Sequence, residues 1–459
     1  MVLKKYWPWL AWIALLICMT GFLTYRAFTS DRRLFLPGKT TSGHYQIELS
    51  CSACHTPWMG VKENACYDCH AEELKAVNDS HPKSKFTDPR NVNRLKLIKA
   101  DNCVTCHREH IPDQTHAMGV TVPDDYCFYC HRQTWKDVSS HKNFAFNSCN
   151  NAGCHNYHDN AALYTDFLLK HAQEPANKDS AVLPRRELLA YLVQSGAMKQ
   201  SKPLTAEQQD APVSVKSDAK VLHDWAMTAH AKAGVNCSDC HQVEDKATLV
   251  KAWSDQLAYT ACKRCHIDEV QGFLGGKHGM RLAQDLSPMT PGLARLPMKP
   301  EVAHREVGCT SCHAEHEFNT RQAAVESCLT CHNDEHSLAY KRSKHYALWA
   351  NEENDGAPAG SGVSCATCHL PRELAETDGG RRVLVQHNQN LNLRPNEKMV
   401  RTVCLECHGL AFSLDALADS VLVKSNFVGQ PHRHVESIDM AVRRQMEKKK
   451  NQPTPKEYP

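Results

Sequence analysis

Ten copies of one five-residue pattern, Cys-x-x-Cys-His, carry the chemistry of this sequence. They fall at Cys51/Cys54/His55, Cys66/Cys69/His70, Cys103/Cys106/His107, Cys127/Cys130/His131, Cys237/Cys240/His241, Cys262/Cys265/His266, Cys309/Cys312/His313, Cys328/Cys331/His332, Cys365/Cys368/His369 and Cys404/Cys407/His408. An eleventh site, stretched to Cys-x4-Cys-His, lies at Cys149/Cys154/His155. The pattern is the covalent attachment signature of haem c. Two residues between the thiols set both sulfurs on one helical turn, at the separation of the two vinyl groups. The next residue then lies under the iron as its proximal ligand. Eleven motifs with two thiols each take 22 of the 23 cysteines, and Cys18 stays outside them in an apolar segment.

Two other readings use paired cysteines. Zinc ribbons combine Cys-x2-Cys pairs into a tetrahedral site, but they do not require His directly after the second Cys. A disulfide framework would not repeat Cys-x-x-Cys-His. With 28 histidines in 459 residues, eleven such placements do not arise by chance. The cofactor expected is therefore haem c, eleven copies, covalently attached.

The histidines outside the motifs are the source of second axial ligands. In the first group of motifs they are His44, His81, His110, His116, His141, His158 and His171. In the second group they are His223, His230, His278, His304, His316, His336, His345 and His387, with His432 and His434 later and read as surface residues. His110, His158 and His316 each follow a motif histidine by three residues, a natural place from which to reach a neighbouring haem. Seven candidates face five irons and eight face six, so every iron could be bis-histidine. Counting alone assigns none of them.

These sites need elements around them. The fold expected is mainly α with much loop, packed around haem, with little β structure and one N-terminal transmembrane helix. Short helices should surround each motif, because β-branched alternation is absent. Residues 1–30 are read as a membrane anchor. Lys4 and Lys5 precede an apolar run over 7–28 (WPWLAWIALLICMTGFLTYRAF), and about 20 such residues span a bilayer. Trp7, Trp9 and Trp12 at one end and Tyr25 at the other read as interfacial anchors. The rival is a cleaved signal peptide, but no A-x-A-like site follows the run. Residues 40–172 form a five-haem domain, 173–220 a polar linker with a short helix over 186–199, 221–434 a six-haem domain, and 435–459 a basic disordered tail.

Composition fits this reading. The chain has 42% hydrophobic and 7% aromatic residues, little for its length, as expected where macrocycles fill the interior. The formal charge of +3 excludes nothing by itself. Two propionates on each of eleven haems add about 22 negative charges, so the loaded protein is acidic and a nucleic-acid reading fails.

The segments GVSCATCHLP (362–371), RTVCLECHG (401–409) and the preceding VQHNQNLNLRPNEK give residues 221–434 a resemblance to a known haem core. It resembles the core shared by cytochrome c nitrite reductase, hydroxylamine oxidoreductase and octahaem tetrathionate reductase. The N-terminal third is similar to small multihaem cytochromes with Cys-x-x-Cys-His-x-x-His units. In the nitrite reductases the catalytic haem is the fifth from the C-terminus and has a lysine as proximal ligand. The matching position here is His266, as in the hydroxylamine oxidoreductases. Their catalytic tyrosine matches Glu335, and their catalytic histidine matches His345, which could equally be a distal ligand. Arg281 could offer a cation nearby or be a surface arginine. The resemblance thus implies His266 and His345 as candidate catalytic residues.

Two functions follow. The first is a membrane-anchored periplasmic electron carrier, since in bacteria haem c is attached outside the cytoplasmic membrane. A quinol-oxidising membrane complex would be its donor partner and periplasmic redox proteins its acceptors. The alternative is an oxidoreductase acting on nitrite, hydroxylamine or a sulfur oxyanion at the Cys262/Cys265 haem. A bis-histidine iron has no open position, so one vacant iron separates the two.

Overall fold

The computed structural model describes most of the chain between Val2 and Lys450; residues 132–156, 159–164, 245–250, 451–459 and several shorter stretches lie outside the described residues. Cys149, Cys154, His155, His116 and His141 fall among these, so the eleventh motif and two of the candidate ligands are not described.

The described chain is mostly helical, with short elements joined by long irregular segments. The longest helix, α1 (Val2–Phe28), projects free of the body. Residues 6–28 within it are apolar enough to cross a membrane, and at about 1.5 Å per residue they cover the ~30 Å hydrocarbon thickness. Among the described residues, strand is confined to three two-stranded antiparallel hairpins: β1 (His55–Thr56) with β2 (Gly60–Val61), β3 (Gln242–Glu244) with β4 (Lys251–Trp253), and β5 (Arg372–Thr377) with β6 (Gly380–Val385).

The motifs form single helical turns, as their spacing requires. The His107, His131, His266, His332 and His408 amides each donate to the carbonyl of their own motif's first cysteine, at 2.8–3.0 Å. Side chains cap several of these turns. Asn236 accepts from the Cys237 amide while Asp239 accepts from the Asn236 amide. Ser364 and Thr367 exchange the same pair of bonds around Cys365. Such caps hold a turn too short to be stable alone. The Cys66 motif is the exception in length, lying within the 14-residue helix α2 (Glu63–Ala76).

One aliphatic cluster is built without cofactor. Leu168 on α3 (Thr165–Lys170) meets Val400, then Leu410, Leu414 and Leu417 on α4 (Leu410–Ala418), and Ile438 and Ala441 on α5 (Ser437–Lys450). This corrects the reading of residues 435–459 as a disordered tail: 437–450 are helical. The basic run KKK disguised an amphipathic start, SIDMAV, whose apolar residues seal the cluster.

Segment 173–220, read as a linker, is docked along the body. The Lys178 amide donates to the Cys407 carbonyl at 2.8 Å and the Leu183 amide to Gly360 at 2.9 Å. Arg186 pairs with Glu269. The short helix expected over 186–199 is present as Leu188–Gln194.

Four cations from the second half hold the first. Lys277 Nζ donates to the Ser42 and Gly43 carbonyls at 2.8 and 2.7 Å. Arg281 Nη1 donates to Gln46 at 3.0 Å, and Arg295 Nη1 to Thr40 at 2.9 Å while its guanidinium carbon lies 4.7 Å from the Tyr45 ring centre. Lys398 Nζ lies 3.5 Å from Glu73 Oε1.

Leu410 is fully buried at the centre of the aliphatic cluster. Leu410→Ala is expected to destabilise this region by about 2–5 kcal/mol, the range for emptying a large aliphatic site. Denaturant unfolding followed by circular dichroism measures it, and a loss below about 1 kcal/mol would show that the cluster does not close the C-terminal half.

Candidate functional site

Each described motif histidine has a second histidine opposite it. The ring centres are 5.9 Å apart for His70 and His44, 6.3 Å for His55 and His110, 6.0 Å for His131 and His81, and 6.3 Å for His107 and His158. In the second half they are 6.1 Å for His266 and His230, 6.0 Å for His241 and His316, 6.4 Å for His332 and His278, 6.4 Å for His313 and His387, 6.1 Å for His369 and His336, and 6.2 Å for His408 and His345. Every pair joins one motif histidine to one from outside the motifs.

The separation has a physical meaning. A metal–imidazole bond is about 2.0 Å and the ring centre lies about 1.1 Å behind the nitrogen, so two imidazoles on opposite faces of one metal have centres about 6.2 Å apart. Ten slots of this width, each beside two thiols on a helical turn, fit a haem held by two histidines.

The thiols differ in how far protein encloses them. Most of the described motif cysteines are half-buried, but Cys69 and Cys130 are exposed. The Cys130 amide donates to the Cys127 carbonyl at 3.3 Å. His131, the next residue, faces His81.

Hydrogen bonds turn the rings the right way. Nδ1 of His81, His107, His110, His241, His387 and His408 faces the backbone carbonyl of Tyr157, Gly119, Gly38, Ser254, Val385 and Ala176 respectively. A carbonyl only accepts, so Nδ1 carries the proton and the lone pair is on Nε2, the nitrogen a metal takes. His44 and His70 do the same with carboxylates, Glu109 at 2.6 Å and Glu73 at 2.8 Å. His336 donates to Val423, but the Asn426 amide also reaches its Nε2 at 3.1 Å. His230 Nδ1 is buried without a partner.

Burial keeps five of the rings neutral. It pushes His266, His278, His313, His345 and His369 down to about 4, assisted by neighbouring histidines. A neutral imidazole at neutral pH has its lone pair available. Burial would raise the Glu109 carboxyl, but His44 and two bonds from Thr41 outweigh it and hold the group at about 2.

Backbone strain explains the three-residue offset. His110 and His316 have φ of 66° and 61°, the left-handed region that non-glycine residues rarely enter. A helix continuing from His107 or His313 would leave the second ring on the same face. The left-handed residue turns it to another slot: His110 to His55, and His316 to His241. His158, three residues after His155, reaches His107. Gly38 permits the closest of these approaches, because a Cβ there would lie 2.5 Å from the His110 carbonyl oxygen.

Motifs also touch one another. The Cys262 and Cys309 thiols are close enough to influence each other's ionisation, as are those of Cys328 and Cys365. Tyr157 stacks on His81 at 4.1 Å and meets His158 edge-on at 5.1 Å, joining two slots.

The other expected ligands are placed differently. His171 donates to Glu174 at 2.7 Å and packs on Phe167 rather than facing a described motif histidine. His223 is exposed beside Asp224, and His304 is exposed. His434 is held between Asp415 and Asp439. Arg281 is committed to Gln46 and Ser287, so it offers no cation to a neighbouring site. The carboxylates Glu73 and Glu109 were missed by the sequence reading; the placement of Glu73 three residues after His70 on one helix was the available signal.

The rival metal chemistries find no support here. Among the described residues no group of three or more His, Cys, Asp or Glu side chains converges on a metal position, and no two described cysteines form a disulfide.

Residues 302–378, which hold the Cys309, Cys328 and Cys365 motifs, match the family model for cytochrome c3. No curated protein matches the chain. The match and the paired imidazoles together support a multihaem c-type cytochrome that transfers electrons.

Ring orientation gives a spectroscopic prediction. Four pairs have planes within 34° of each other and six are crossed at 64° or more. Parallel axial rings produce rhombic low-spin signals and crossed rings produce strongly anisotropic ones. The EPR spectrum of the oxidised protein should contain both, with the anisotropic class the larger. His345→Ala should add one high-spin signal, since it removes the ring facing His408. An unchanged spectrum would mean that His345 is not an axial ligand.

Proposed function

We propose that this chain is a membrane-anchored undecahaem c-type cytochrome of the periplasm. It carries electrons through bis-histidine haems from a quinol-oxidising membrane partner to periplasmic acceptors. The carrying observation is that all ten described motif histidines face a second histidine across a slot of metal-binding width. When bound, each haem supplies a one-electron ferric/ferrous couple. The chain's own residues do the rest. Two imidazoles would hold each haem from opposite sides, the carbonyls at Nδ1 fix the rings, and the neighbouring cysteines Cys262/Cys309 and Cys328/Cys365 would bring adjacent haems close together. Fixed ligation suits repeated electron transfer, because nothing has to bind or leave. Helix α1, with its exposed apolar surface, supports the anchor, and the body then lies on the side where haem c is attached.

The second reading keeps the resemblance to the nitrite reductase and hydroxylamine oxidoreductase core, with the Cys262/Cys265 haem reacting with nitrite, hydroxylamine or a sulfur oxyanion. One observation favours it. His230, which faces His266, has no partner at Nδ1, so nothing but packing against Phe318 at 4.6 Å fixes this ring. A ligand held so lightly could yield its position.

Optical and EPR spectra with and without nitrite or hydroxylamine separate the two. The carrier reading expects low-spin iron throughout and no change on addition. A high-spin signal that shifts with either ligand would replace it with the second reading. Pyridine haemochrome with intact mass should give eleven haems, and ten would remove the Cys149/Cys154 site. Deleting residues 1–30 behind a cleavable secretion signal should move the protein from the carbonate-resistant membrane fraction to the soluble periplasm. Retention in the membrane would place the anchor elsewhere.

A further inference from the structure

The slot between His44 and His70 differs from the other nine in what holds its rings. His44 Nδ1 meets Glu109 Oε1 at 2.6 Å and His70 Nδ1 meets Glu73 Oε2 at 2.8 Å. In each other described pair at least one ring lacks a carboxylate: its Nδ1 either donates to a carbonyl, as in six pairs and also His336, or has no carboxylate within reach, as with His230 and His278. The nearest comparisons are single and long: Asp334 lies 3.5 Å from His332 and Glu269 3.9 Å from His266.

Both carboxylates are themselves fixed. The Thr41 amide and hydroxyl donate to Glu109, the hydroxyl at 2.8 Å. Glu73 shares its helix with His70, and Lys398 takes its Oε1, leaving Oε2 on the ring.

A carboxylate accepting from Nδ1–H gives the imidazole imidazolate character and makes Nε2 a stronger donor. A stronger donor, with a fixed negative charge behind it, favours ferric over ferrous iron. Two such ligands act in the same direction. We propose that Glu73 and Glu109 act as positioning residues that set the haem at Cys66/Cys69 to the lowest reduction potential in the chain.

The position gives this a consequence. Residues 40–48 carry His44 and are gripped by Lys277, Arg281 and Arg295, while Lys398 grips Glu73. The haem therefore sits where the five-motif and six-motif halves meet. Electrons do not rest on a site of lowest potential. They cross it, so it divides the haems into two pools that exchange over a threshold. This inference rests on the electron-carrier reading.

The test is a redox titration of the full-length, detergent-solubilised protein, followed by visible absorption and EPR, with Glu73→Gln and Glu109→Gln made singly. In the unmodified protein one low-spin component should be reduced last. Each variant should make that component about tenfold easier to reduce, which is 59 mV for one electron, and leave the others in place. Pyridine haemochrome confirms equal haem content, and if Glu73→Gln fails to load haem, Glu109→Gln tests the opposite ring. A last-reduced component that does not move, or a uniform shift of all components, overturns the inference. High-spin iron in the unmodified protein would instead sink the carrier reading, so the two failures are distinguishable.

Discussion

Two imidazole nitrogens must face each other across the thickness of one metal and its two bonds. This requirement, met ten times in the described chain, explains most of what the backbone does. Most motif turns are short, left-handed residues at His110 and His316 turn the next ring away, and carbonyls wait behind several of the rings. The chain therefore reads poorly as a set of packed helices and well as a set of ligand carriers. Regular structure appears where it delivers a ring and ends once it has done so.

The attachment chemistry was legible because it is local. Five consecutive residues set two sulfurs and a nitrogen on one turn, and no tertiary contact is needed to foresee it. What the spacing could not convey is how each turn sits in the body. The opposing rings were legible as a pool of candidates only. His387 faces His313 and His408 faces His345 across more than sixty residues of chain, and no sequence period records such a pairing. The offset histidines were the partial exception: His110, His158 and His316 were expected to serve neighbouring haems, and each faces a histidine of another motif. The left-handed backbone that redirects two of them leaves no trace in composition, since neither position is glycine or asparagine.

The helix at 437–450 and the docking of the linker share a cause. Segment 173–220 lacks cysteine and is rich in proline, and 437–450 ends in a basic run, so both looked solvated. Yet a haem-packed body leaves backbone edges and apolar corners that protein must cover. Lys178, Leu183 and Arg186 cover the first kind. Ile438 and Ala441 cover the second, closing the aliphatic cluster around Leu410.

The left-handed histidines have a consequence for how the molecule is made. A chain that emerges N-terminus first presents Cys51 long before His110 exists to complete its slot, whereas His44 is already present when His70 appears. The second site can thus close before the first, and the first waits for a segment that also founds the third. Completion runs out of register with synthesis, and each short loop with two histidines stitches a newly made site to one left unfinished upstream. Truncation would then strip haems in an order set by the later ring of each pair, not by the order of the cysteines.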